Sequence, residues 1–333
     1  MADSDPKSAA PRVYGLPCRR SFLRRLGAAS LAAAGATSLS GRAASAAPNA
    51  PAAASPPDKS PLPTIAPFGK TLTRLIVGGN PLNGYSVPTQ ALARDMSDYF
   101  TVERTAELFL RCEKVGINTF QGSYSDKVRD GLRLAWERGS KIQWFSLGSD
   151  ANDNAALDRL LELKPMAIVH HGGVTDRLFS EGKSEQINDF IKKIHDKGLP
   201  AGVSSHTPAN IRAVEEKGWD NEFFMTCFYN VVRTEEQMKR EFGGVPLDKL
   251  SFWHDDPQAM TAVIRQSRKP CLGFKILGAG RLCWDSQMVE RAFQFAFSNI
   301  KPTDGVIVGM YPRFEDEPAA NAALTRKYGA AKS

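Results

Sequence analysis

From Thr73 onward, short runs rich in β-branched residues alternate with amphipathic stretches of helical period. The runs that predict strands are Leu75–Gly79, Ile117–Gln121, Ile142–Leu147 and Ala167–His170, then Ala201–Ser204, Phe223–Tyr229, Cys271–Leu277 and Val306–Gly309. Between them the spacing predicts helices over Val102–Val115, Lys127–Glu137, Asn154–Leu163 and Ser184–Lys197. The series continues with Pro208–Lys217, Pro257–Ser267, Ser286–Ser298 and Glu317–Lys327. In the first helix Ala106, Leu108, Phe109, Leu110, Cys112 and Val115 form one broad apolar face. Gly116 and Gly198 follow two helices where a left-handed residue is wanted, and Pro208 opens another at a position that needs no amide hydrogen.

Strands each followed by a helix, with connections too long for hairpins, pair in parallel through helical crossovers. Eight such units predict a closed (β/α)8 TIM barrel, placed here over residues 67–330. An open doubly wound sheet is the rival. It is disfavoured because Gly78-Gly79-Asn80-Pro81, after the first strand, is not the glycine-rich dinucleotide turn.

The first fifty residues follow another pattern. Arg19-Arg20-Ser21-Phe22-Leu23-Arg24-Arg25 precedes a modestly apolar segment rich in Ala, Gly and Ser, and Ala44-Ser45-Ala46 supplies a small-residue cleavage site. That order predicts a secretory signal over 1–46 rather than a transmembrane helix, with a Pro/Ala-rich linker over 47–66. The arginine pair before Phe-Leu resembles the twin-arginine signal, which implies the twin-arginine translocase as partner during export and a periplasmic or otherwise exported product. Residues 1–46 hold seven Lys/Arg and two Asp/Glu, so cleavage lowers the formal net charge from +7 to +2. No basic stripe then calls for nucleic acid, and none calls for a membrane in the mature form. Cys112, Cys227, Cys271 and Cys283 are far apart and read as core thiols rather than a disulfide frame.

Several separated segments resemble the aldo/keto reductase superfamily. Pro67 to Leu75 followed by Ile-Val-Gly-Gly is similar to its opening hairpin and first strand, Gly116 to Gln121 to its second strand, and Gly202-Val-Ser-Ser205 to its fifth. Gly278-Ala-Gly-Arg-Leu282 sits where the family has a loop after strand seven, and Val306 to Gly309 with Arg313, Glu317 and Asn321 resembles its last strand and adenine-binding helix. The resemblance implies carbonyl reduction with NADP(H). It places the nicotinamide contacts at Ser204, Ser205 and Thr226, a loop contact at Gly278, and the 2′-phosphate and adenine contacts at Arg313, Glu317 and Asn321. The family's Asp-Tyr-Lys-His tetrad carries over incompletely. Gln121 stands at the Asp position, Tyr124 lies two residues early for the proton donor, Phe145 to Gly148 contains no lysine, and His170 or His171 matches the histidine.

In such a barrel the chemistry collects at the carboxyl ends of the strands. There the chain offers Asn80, Gln121, Tyr124, Asp150, His170, His171, His206, Tyr229, Asn230 and Lys275. His195 reads as a solvated residue on a helix. Adjacent strand residues face opposite ways, so only one of His170 and His171 lines the lumen. Lys275 is a lone charge in an apolar run, suited to a Schiff base, to an anionic ligand or to a salt bridge at the rim. Three imidazoles, or two with Asp255 or Asp256, would suit zinc, but no His-x-His or His-x-x-x-His pair exists, and no metal is expected. The leading expectation is an exported reductase acting on a small carbonyl or sugar derivative, with Tyr124, His170, Gln121 and Lys275 as its centre. Two others stay open: a cofactor-independent or metal-assisted lyase or isomerase around His170, His206 and Lys275, and a carbohydrate-binding pseudoenzyme.

Overall fold

The computed structural model describes residues 60–85, 88–148, 154–246 and 251–330. The expected signal and the residues of the expected linker up to 59 lie outside these. Eight parallel strands close into a barrel: β3 (Leu75–Gly78), β4 (Thr119–Ser123), β5 (Gln143–Gly148), β6 (Ile168–His170), β7 (Ala201–Ser205), β8 (Phe223–Cys227), β9 (Cys271–Phe274) and β10 (Gly305–Gly309). Each strand pairs with its sequence neighbours, and β10 returns to β3 with Ile307 opposite Ile76. The chain is a (β/α)8 TIM barrel, as the strand and helix alternation predicts.

Alternation along each strand sorts the core into two shells. Ile76, Phe145, Val169, Phe223, Met225, Leu272 and Ile307 fill the lumen. Val77, Phe120, Trp144, Ile168, Val203, Phe224 and Val306 pack outward against the helices. At Gly202 a Cβ would lie 2.7 Å from the Phe223 ring, so glycine is what lets that ring fill the lumen beneath the mouth.

A hairpin of β1 (Thr64–Ile65) and β2 (Leu72–Thr73) supplies Ile65 and Leu72 to the lumen cluster and plugs the amino-terminal end of the barrel. It begins inside the stretch read as linker: Leu62 and Ile65 are the large apolar side chains of that Pro/Ala-rich segment, and both are buried. Arg74 completes the plug, donating to the carbonyls of Asp304 at 2.7 Å, Gly329 at 2.6 Å and Lys301 at 2.9 Å. That end is sealed by backbone contacts, which leaves the opposite face for chemistry.

Among the described residues three α-helices go beyond the sequence expectations: Gln90–Tyr99, Gly172–Ser180 and Glu235–Phe242. The strand expected over Cys271–Leu277 stops at Phe274, because Lys275 takes a left-handed backbone conformation with φ of 59°.

Candidate functional site

The helix Gly172–Ser180 organises the mouth. His171 caps it, its Nδ1 accepting from the Gly173 amide at 3.2 Å. Two glycines follow. A Cβ at Gly172 would stand 2.9 Å from Ser204 Oγ and 3.2 Å from His206 Cε1, so only glycine lets this helix press against the end of β7. That close approach brings Asp176, one turn further on, to His206. Asp176 Oδ2 lies 2.7 Å from His206 Nδ1 and accepts from the His206 amide at 3.2 Å, while Oδ1 accepts from Ser205 Oγ at 2.5 Å and Asn210 Nδ2 at 3.0 Å. Burial alone would raise the Asp176 carboxyl, but the hydrogen bonds and charge of His206, with Ser205, outweigh it and hold it below its ordinary value. An ionised carboxylate on Nδ1 keeps a proton there and leaves Nε2 to exchange protons with a ligand. The His206 ring meets lumen-facing Phe274 edge to face at 5.6 Å, which places it at the lumen mouth.

Gln121 shares the lumen face. It pairs with Gly78 and Phe145 across the sheet, and Phe145 belongs to the lumen cluster. The side chain is 7 % exposed, and its Nε2 is buried without a hydrogen-bond partner. A buried amide donor without an acceptor is costly and is the kind of group a ligand oxygen would satisfy. Lys275, just past β9, rests its ammonium 5.2 Å from the centre of the Phe274 ring; burial, then the charge of His206 and then that of Lys275 lower the His171 pKa. Left-handed backbone at a non-glycine residue is strained, and Ala279 repeats it four residues later in the same loop, with φ of 54°.

His170 leaves the lumen. It faces outward with Ile168, its Nδ1 2.7 Å from Thr175 Oγ1 and its ring edge to face with Phe190 at 4.9 Å. Burial, with a smaller effect of His171, pushes it down to about 4. It is a neutral core histidine, and the strand's alternation turns His171 to the mouth instead. Tyr124 also leaves the lumen: it follows lumen-facing Ser123, packs against the outer core, and its hydroxyl accepts from Arg129 Nη1 at 3.3 Å. Tyr124 and His171 do meet in a side cavity of about 270 Å³ between the end of β5 and the flanking helices. The expected reductase tetrad is therefore not assembled around one point.

The expected cofactor residues fare similarly. Ser204 is in the lumen beside Gly172, but the Ser205 hydroxyl is committed to Asp176. Thr226 faces outward with Phe224, and its hydroxyl is buried without a partner. Arg313 is held by Asp95 and by the Tyr311 hydroxyl, Glu317 accepts from the Tyr311 amide at 2.6 Å, and Asn321 is buried in its helix. Gly278 stands in the β9 loop with φ of 56°. These residues do not fit NADP(H): a 2′-phosphate at Arg313 would meet the Asp95 carboxylate, and the serine meant for the carboxamide is occupied.

Asp176 and Asn210 escaped the sequence reading. The signal for Asp176 was the His171-Gly172-Gly173 run, which marks a helix start pressed against a neighbouring strand. Among the described residues no group of three or more His, Cys, Asp or Glu side chains is placed to hold a metal, and no helix is long and apolar enough to cross a membrane. His254 contacts only its neighbour Asp255 among acids, at 3.3 Å, and His195 lies 3.1 Å from Glu222 on the outer surface.

No family model matches the chain, and no curated protein matches it. Solved structures give distant likenesses. A truncated 3-deoxy-D-arabino-heptulosonate 7-phosphate synthase from Thermotoga maritima aligns at 12 % identity and a TM-score of 0.47, covering 80 % of this chain and 91 % of that one. An aldo/keto reductase from Brucella melitensis aligns at 11 % identity and 0.44, covering 82 % and 94 %. A glycerol dehydrogenase from Gluconobacter oxydans aligns at 11 % and 0.47, covering 81 % and 91 %. Likenesses this distant assign no activity to the chain, and its fold rests on its own closed sheet.

Proposed function

We propose that this chain is an exported enzyme that moves protons on a small carbonyl compound or sugar derivative without a redox cofactor, as an isomerase or lyase. The observation that carries the reading is the Asp176–His206 pair at the mouth, a buried carboxylate on a partly exposed imidazole with 2.7 Å between Oδ2 and Nδ1. A carboxylate-held imidazole is a general base through Nε2 and, once protonated, a general acid through the same atom. Gln121 enters the lumen from β4 and His206 follows β7, so a small molecule that reaches both lies across the lumen. There the Gln121 Nε2–H donates to the substrate oxygen on which negative charge develops when His206 takes the neighbouring carbon-bound proton. The Lys275 ammonium adds a positive potential on the β9 side. No step needs Tyr124 or His170.

Export is supported by the arginine pair and the small-residue site ahead of the barrel. The aldo/keto reductase reading has the order of its separated sequence segments in its favour, and against it the scattered tetrad and the occupied Arg313 and Ser205. The test is hydrogen exchange. The mature protein is incubated in D₂O with hydroxyketones, aldoses and keto-sugars, and loss of the α-proton signal is followed by NMR. Exchange that His206→Asn slows by about two to four orders of magnitude is expected; exchange indifferent to that change, or turnover that requires NADPH, would overturn the reading.

A further inference from the structure

A second cavity, of about 380 Å³, lies outside the lumen, where the loops after β8 and β9 meet the helices Asp256–Gln266 and Ser286–Asn299. Its size falls in the range of small-molecule sites, roughly 300–1,000 Å³. The walls are apolar and carry four rings: Phe228, Tyr229, Phe252 and Phe295 line it beside aliphatic residues such as Ile276 and Leu282, and Phe228 packs edge to face with Phe295 at 6.4 Å. The charged side chains among the described lining residues are of one sign. Arg281 and Arg291 line the cavity with His254, and among the described residues none of the lining side chains is acidic. His254 does contact Asp255 at 3.3 Å, so the two arginines carry the positive character.

Arg281 is the ordered member. Its guanidinium carbon sits 3.8 Å from the centre of the Phe252 ring, and Nη1 donates to the Gly278 carbonyl at 3.4 Å. A guanidinium stacked on a ring keeps its N–H edge in its own plane, the geometry that takes a carboxylate by two parallel hydrogen bonds. Burial, with Asp256 and Cys227 adding to it, pushes the Tyr229 phenol up to about 12, so it stays a neutral neighbour that does not repel an anion.

We infer that this cavity is a binding site for a planar aromatic carboxylate, with its ring among the phenylalanines and its carboxylate on Arg281 and Arg291. The inference stands apart from the proton-transfer reading, since neither His206 nor Asp176 lines this cavity. Four aromatic rings in the wall favour a flat ligand, because ring pairs gain from edge and offset contacts beyond the area they bury. Among the described lining residues the charged side chains are two arginines and no acid, which favours an anion over a cation.

The test titrates the mature protein with 2-naphthoate and with its neutral counterpart 2-naphthalenemethanol, by calorimetry and by thermal shift. Trp284, 85 % exposed and two residues past the lining residue Leu282, provides a fluorescence reading of the same event. The acid is expected to bind at least tenfold more tightly than the alcohol. Arg281→Met is expected to remove about ten- to a hundredfold of that affinity, the range for a charged hydrogen bond, and Arg281→Lys to recover only part of it. Arg291→Met serves as the second variant, with the same direction, should Arg281→Met fold poorly. His206→Asn should leave binding unchanged while slowing proton exchange. Equal affinity for acid and alcohol overturns the inference, as does 2-naphthoate binding that survives both arginine changes or disappears with His206→Asn.

Discussion

Asp176 and His206 are thirty residues apart in sequence, yet Oδ2 of one lies 2.7 Å from Nδ1 of the other, with the carboxylate buried and the imidazole partly exposed. The pairing depends on the glycine at 172, which lets one helix close on the end of β7, and on Ser205 and Asn210, which fill the remaining lone pairs of the carboxylate. A buried carboxylate with so many donors is fixed in orientation before any ligand arrives.

Asp176→Asn keeps the shape of the pair and removes its charge. The amide would present an N–H toward Nδ1 and drive the proton to Nε2, the wrong tautomer for a base. Proton exchange on the responsive substrate is expected to fall by about 10²–10⁴. A variant that exchanges as fast as the parent would mean that His206 works without its carboxylate.

The acid side of the stability curve belongs partly to His170. Its folded pKa, about 4, lies below the ordinary histidine value of 6.5 because burial disfavours the cation. The unfolded chain therefore binds more protons between those values, so His170 subtracts stability as pH falls from about 6.5 to about 4 and adds no slope above. At 1.36 kcal/mol per pH unit the full effect is on the order of 3 kcal/mol. His170→Leu, denatured by urea at several pH values, should show a shallower loss over that window; an unchanged slope would mean that His170 is not the group responsible.

Much of the fold was legible because each barrel strand is a compact apolar run and each crossover helix has a broad apolar face. The missed helices lacked that face or sat too close to a strand. Gln90–Tyr99 has no buried side chain at all, and Glu235–Phe242 has only Met238, although Thr234 and Gln237 form a capping box that could have announced it. The site was harder. His170 and His171 are indistinguishable until the register of β6 is fixed, since a shift of one residue exchanges lumen for core. Asp176 was invisible as chemistry because it lies on a helix, and only the closeness of that helix to β7 brings it to the mouth.

NADPH is expected to leave the protein unchanged. Arg313 is held by Asp95 and Tyr311, so a phosphate has to displace a carboxylate to reach it. Fluorescence titration up to millimolar NADPH should be flat for the parent and for Arg313→Ala alike. Saturable binding lost in Arg313→Ala would restore the reductase reading.

If the chain is exported as proposed, export is expected to require both guanidiniums of the Arg19–Arg20 pair. Arg19→Lys with Arg20→Lys keeps the charge but loses the planar fork that a receptor can hold, and the two groups are not interchangeable. The double variant should accumulate in the cytoplasm with residues 1–46 attached, visible as a heavier band. Normal recovery of the cleaved form outside the cytoplasm would remove the twin-arginine assignment.

The sharpest separation of structure from function falls on Gln121. Its Nε2 is buried in the lumen without a partner, a state that costs a folded protein about 1–3 kcal/mol when nothing satisfies the donor. A residue kept only for packing would not carry that defect, because leucine fills a similar volume and needs no acceptor. Neighbouring Phe145, across the β4–β5 ladder, belongs to an apolar lumen cluster that would accept the exchange. Gln121→Leu is therefore expected to raise the free energy of unfolding by about 1 kcal/mol, since the unpaired donor goes and an apolar contact comes. The same change should slow proton exchange by at least tenfold, because the substrate oxygen loses the hydrogen bond that stabilises its developing charge. Gln121→Glu separates the two roles further: it restores a charge but removes the donor, so it should lower both stability and turnover. Urea denaturation and the exchange assay, run on the same preparations, give the answer. A leucine variant that is less stable than the parent and equally active would make Gln121 a structural residue whose partner is supplied by the fold.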